Sequence, residues 1–156
     1  MPQDLNALSL LLAQAERERD EALAEQFRAE AARRAAATQA EHLVLYRRDY
    51  ERRWSAEFCR EGKIELVRCY QGFIQRMTHA IEQQERIAAQ AAMQAERAEA
   101  IVRGHEVRVA GLKKLLERRL RDHEVAVARR EQRENDDRAV RQAWSRLTAP
   151  GRPTAQ

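Results

Sequence analysis

A chain of 156 residues with 35% charged and only 5% aromatic residues, in which alanine supplies much of the 44% hydrophobic content, has little apolar area for a thick globular core. Its Ala/Arg/Glu/Leu/Gln-rich composition, with no proline between Pro2 and Pro150, reads as long helix or coiled coil. Disordered chains share the low aromatic content, but the apolar positions below recur too regularly for disorder.

At the start, the run Ala7–Ala13 (ALSLLLA) is short and follows Asp4 without a basic region. It is expected to be neither a signal peptide nor a membrane span. A first helix is expected over about residues 4–59. Its apolar line is Leu8, Ala15, Ala22, Ala29, Ala36, Leu43 and Tyr50, one residue in every seven. A rougher companion line runs Leu5, Leu12, Arg19, Gln26, Arg33, Ala40, Arg47 and Trp54. A bend follows at residues 60–63 (REGK), where Gly62 is available to cap the helix. Cys59 and Cys69 flank it and read as free cytosolic thiols rather than a secreted disulfide.

The second helix is expected over about residues 64–146. One line reads Val67, Ile74, Ile81, Ala88, Ala95, Val102, Val109 and Leu116. The other reads Tyr70, Met77, Gln84, Ala91, Ala98, His105 and Leu112. Near its start, YQGFIQRMTHAIEQQ (Tyr70–Gln84) gathers the bulky side chains that the rest of the chain lacks. Both helices carry a narrow seam that needs a partner to be stable.

That partner is expected within the chain. If it folds back around Gly62, paired positions sum to about 124, and the seven-residue repeat tests that sum modulo seven. Leu8 then meets Leu116, Ala15 meets Val109, Ala36 meets Ala88 and Leu43 meets Ile81. The fold class is therefore all-α: an antiparallel coiled-coil hairpin of two long helices, the second longer, forming a single domain over residues 1–148. The helices should approach closely at the alanine layers, with the thickest layers near the bend. Beyond Arg119 the second helix has no partner left. Residues 108–146 hold 12 Lys/Arg against 7 Asp/Glu, a net of +5, so an acidic partner should meet the protein there. Residues 149–156, which include Pro150 and Pro153, are expected to be disordered.

No catalytic constellation is visible. The chain has neither a Gly-rich dinucleotide loop nor a Walker-type phosphate loop. His42, His79, His105 and His123 lack the i, i+4 pairing of helical zinc sites, and His105 and His123 read as polar seam residues. Two helices offer no concave pocket, so the protein is expected to be non-enzymatic, with no cofactor or metal. A sequence pI of about 9.5 invites a nucleic-acid reading. Arg and Glu are interleaved through most of the chain, however, and no reader motif appears, so no nucleic-acid partner is expected.

Several segments together resemble the flagellar FliJ family. They are Leu43-Tyr46-Tyr50 as L-x-x-Y-x-x-x-Y, then YQGFIQRMTHAIEQQ, LKKLLERR (Leu112–Arg119) and ARREQRENDD (Ala128–Asp137). The resemblance spans about residues 5–146, with two departures. Arg138 stands where relatives carry a large apolar residue, and Ile101-Val102 stands where many have a tryptophan. The resemblance implies a cytoplasmic protein of the flagellar type III export apparatus, peripheral to the inner membrane without inserting in it. Such a protein is a stalk in the pore of the hexameric export ATPase, promotes ring assembly, links the ring to the export gate and handles export chaperones. It implies a contact with the cytoplasmic region of the gate protein FlhA through Gln39, Leu43, Tyr46, Tyr50, Phe73, Met77, Ala80 and Gln84. It also implies an ATPase-ring contact through Leu5, Leu8, Leu12, Leu112, Leu116, Arg118, Arg119 and Arg121. An injectisome stalk and a generic structural or nucleic-acid-associated coiled coil are the alternatives.

Overall fold

The computed structural model describes residues 3–151, apart from the side chain of Glu61. Helix α1 spans Gln3–Glu61 (59 residues) and helix α2 spans Ile64–Thr148 (85 residues). The helices pack against each other, and there is no strand among the described residues. The fold is all-α, with the second helix the longer. The segment expected to be disordered, 149–156, lies from residue 152 onward outside the described residues.

Local sequence accounts for both helices. Strong helix formers fill them, and no proline occurs within either. Arginines three or four residues after a carboxylate reinforce them, as in Arg28–Glu25, Arg53–Asp49 and Arg103–Glu99. Each such exposed pair contributes about 0.2–0.5 kcal/mol. The break between the helices is only two residues long. Gly62 has φ +49°, the left-handed conformation that ends a helix most cheaply when no Cβ is present. The carbonyl of Lys63 then accepts from the Val67 amide at 3.3 Å, the first turn of α2. At the far end α2 stops at Thr148, because Ala149 precedes Pro150 and that position disfavours helix.

The chain divides into two units. In the bend unit, Gln14–Val109, ring contacts fix the register: Trp54 lies 5.6 Å from Tyr70, each eight residues from Gly62. Glu18 pairs with Arg108 across the helices at 3.2 Å. Within this unit every residue of the four heptad lines is buried or half-buried. The most buried are small: Ala15, Ala36, Ala95, Ala98, Val102 and Val109, with Ile81 the one large side chain among them. The bulky layers near the bend are less enclosed, and Leu43, Tyr50, Trp54, Tyr70 and Met77 are all half-buried. Two helices can cover a methyl group completely but leave one edge of a large ring in solvent.

The terminal unit joins the chain up to Ala13 with the segment from Ala110 onward. Leu5 is buried, and Leu8, Leu12, Leu112, Leu116 and Leu120 are half-buried. Pairing thus reaches Leu120, one residue beyond the expected limit. From Arg121 to Gly151 every residue is exposed. His123 is among them, so its expected seam position is corrected: it lies where no second helix covers α2. His105 is half-buried, as a polar layer residue should be.

Candidate interaction surfaces

Six aromatic rings gather near the bend. Tyr46 and Tyr50 are 6.1 Å apart, Tyr50 and Phe73 4.1 Å, and Trp54 and Phe58 5.4 Å. Phe58 meets Tyr70 edge-on at 5.3 Å. A spacing of four residues places Tyr46, Tyr50, Trp54 and Phe58 along one side of α1, and Tyr70 and Phe73, three apart, answer from α2. Such pairs each add about 0.5–1.5 kcal/mol beyond area burial.

Of the residues implied for the gate contact, Tyr46 is 53% exposed and Gln39 is also exposed. Leu43, Tyr50, Phe73, Met77, Ala80 and Gln84 are half-buried. All eight lie in the bend unit, where the Tyr46–Tyr50–Phe73 rings form one continuous strip. Phe73 lies off the principal heptad line yet stacks on Tyr50, so part of its ring is packed and part is free.

The electrostatics here are local. Burial pushes the Tyr70 hydroxyl above its ordinary value of 10.0; the Glu51 carboxylate adds to this, and Arg47 opposes it. The Nε of Arg47 is buried without a hydrogen-bond partner, since Glu51 Oε1 lies 3.7 Å away. Further along α1, a hydrogen bond from Arg33 draws the Glu30 carboxyl down, against a smaller effect of burial, and Arg34 adds to the lowering.

The residues implied for the ATPase contact all lie in the terminal unit. There the five leucines form the apolar seam, while Arg118, Arg119 and Arg121 are exposed. An open depression beside it is lined by the cations Lys114, Arg118 and Arg121 and the carboxylates Glu117 and Asp122, with Gly111 and Leu115. Its charged lining nets +1, with Arg121 4.0 Å from Glu117.

The heptad reading missed a second set. Val140, Trp144 and Leu147 are 56%, 64% and 82% exposed. Their i, i+4, i+7 spacing was present in the chain, but it belongs to a helix with no partner, so a search for paired seams passes over it. Leu23 and Phe27, four residues apart and exposed on α1, lie off both seam lines of that helix.

No group of three or more His, Cys, Asp or Glu among the described residues could hold a metal ion. No helix among them is long and apolar enough to cross a membrane. The structure is that of a helical-hairpin protein whose distinguishing features are exposed side chains on helix surfaces. A family model described as the flagellar FliJ protein matches residues 4–148, and the chain belongs to that family, making it a component of the flagellar export apparatus. No curated protein and no solved structure matches the chain.

Proposed function

We propose that this protein is the non-enzymatic central stalk of the hexameric flagellar export ATPase. It promotes assembly of the ring and couples it to the export gate. The supporting observation is the terminal unit, in which a leucine seam carries exposed Arg118, Arg119 and Arg121 and continues into an unpaired, net-positive helix. An apolar strip edged by guanidinium groups suits the lining of a ring pore that offers apolar and acidic side chains. Leu8, Leu12, Leu112 and Leu116, half-buried in the seam, show their edges to such a partner, with Leu5 buried behind them. In the bend unit, the Tyr46–Tyr50–Phe73 strip with Gln39, Leu43, Met77, Ala80 and Gln84 contacts the cytoplasmic region of FlhA, since exposed aromatics on a helix surface are strong anchors. Handling of export chaperones, and a location at the cytoplasmic face of the flagellar base, belong to the same reading.

The test is stimulation of the purified export ATPase from the same organism. The triple variant Arg118→Glu, Arg119→Glu, Arg121→Glu should retain helicity, because all three side chains are exposed. It should lose most of its stimulation, with the deficit largest at low salt. Full stimulation by the folded variant would remove the terminal unit from the ring contact.

A further inference from the structure

The last three turns of α2 have a composition unlike any other part of the chain. Asp137 is the final acidic residue of the sequence, while Arg138, Arg141 and Arg146 follow it. In the same turns Val140, Ala143, Trp144 and Leu147 share one side of the helix, at spacings of three and four residues. All are exposed, Leu147 at 82%. Arg141 and Arg146 flank the apolar strip, one on each edge, and Arg138 lies on the opposite side of the helix. Ser145 and Thr148 turn their hydroxyls back to the carbonyls of Arg141 and Trp144, at 3.0 and 2.8 Å. Those hydroxyls therefore need no water when the helix end leaves bulk solvent.

We propose that residues 138–148 form an interfacial anchor that lies on an anionic phospholipid surface. Val140, Trp144 and Leu147 enter the headgroup boundary, and Arg141 and Arg146, on the two edges of the strip, pair with lipid phosphates. The charge pattern requires an anionic partner. The extent of the strip distinguishes a lipid surface from a protein: four side chains over three turns fall well short of the roughly 800 Å² per partner of a stable protein contact. A short cationic amphipathic helix with tryptophan at the boundary is sufficient for reversible membrane attachment. Asp136 and Asp137, which interrupt the strip on its N-terminal side, confine insertion to the helix end. These residues lie outside both contacts assigned in the ATPase-stalk reading, although Arg138, Arg141 and Arg146 also contribute to the net positive charge of the helix that continues from the ATPase contact.

The chain contains two tryptophans, and Trp54 is half-buried in the ring cluster while Trp144 is exposed. The full-length Trp54→Phe variant therefore reports on Trp144 alone. Titration with vesicles of phosphatidylglycerol and phosphatidylcholine in equal parts should shift its emission to the blue. Pure phosphatidylcholine vesicles and free glycerol phosphate should not. Co-sedimentation of the unaltered chain with the same vesicles checks that the Trp54 change is not responsible. Arg141→Gln with Arg146→Gln should weaken binding roughly thirtyfold, at about 1 kcal/mol per arginine. Trp144→Ala with Leu147→Ser should weaken co-sedimentation about tenfold or more. No shift with anionic vesicles at low salt, or undiminished binding by the folded variants, overturns the proposal. A Trp144 shift produced by purified export ATPase but not by vesicles also overturns it and assigns the strip to a protein.

Discussion

Replacing Gly62 with alanine should destabilise the bend by about 1 kcal/mol. Residue 62 has φ +49°, and placing a Cβ in that left-handed conformation costs about 1–2 kcal/mol. Nothing lies within 4 Å of where the Cβ would sit, so the cost is conformational rather than a collision. The stiffer unfolded chain returns about 0.4–1 kcal/mol. For a chain of this length the net effect lowers the thermal midpoint by about 2–4 °C. Circular dichroism at 222 nm measures the helices, and Trp54 fluorescence measures the ring cluster near the bend. Gly62→Asn should fall between glycine and alanine, because asparagine tolerates the left-handed conformation. If Gly62→Ala melts at or above the parent temperature and Gly62→Asn does no better, residue 62 is not held left-handed and the two-residue bend is wrong.

Lys63, whose carbonyl starts α2, is a poor cap, and Lys63→Asp should stabilise the protein by about 1 kcal/mol, readable as a higher urea midpoint. Arg47→Leu should raise stability by about 0.5–1 kcal/mol by removing a buried, unsatisfied Nε, and a lower melting temperature would show that the aliphatic stem packs better than leucine. Because the folded state holds the Tyr70 proton more tightly than the unfolded chain, its contribution is complete below pH 10.0 and is lost as pH rises through the folded value. Urea midpoints measured from pH 9 to 11 should therefore fall more steeply in the parent than in Tyr70→Phe. Tyr46→Ala with Phe73→Ala should keep ATPase stimulation while weakening binding to the FlhA cytoplasmic region at least tenfold; normal gate binding by the folded variant would move that surface elsewhere.

The seam was legible because its signal is redundant. Each layer repeats at seven residues, and one fold point aligns Trp54 with Tyr70, so the burial of Ile81 or Val102 follows from spacing alone. The class of each side chain was less legible. Arg19, Arg33 and Arg47 occupy seam positions that look like defects in a hydrophobic line, yet all three are half-buried because long stems lie along apolar surface with the charge at the edge. Phe73 shows a related limit, since period alone cannot tell that a ring one position off the seam will reach back onto Tyr50. His123 marks where periodicity misleads: the repeat continues past Leu120, but the helix that would cover it does not. The strip Val140–Trp144–Leu147 was hidden for the opposite reason, being amphipathic without a partner in the chain.

The alanine layers have a mechanical consequence. Opposite Ala29 and Ala36 lie Ala95 and Ala88, and a slip of one heptad between the helices would bring small residues back against small residues. Shape in that stretch therefore distinguishes one alignment from the next only weakly, and Glu18–Arg108 is an exposed pair of modest strength. What holds the alignment is the brevity of the connection. Gly62 and Lys63 supply almost no slack, so a seven-residue slide would have to unwind about two turns of one helix beside the stacked rings. A protein nicked between Gly62 and Lys63 would keep every layer and every ring but lose this tether, leaving its two halves free to settle in more than one alignment.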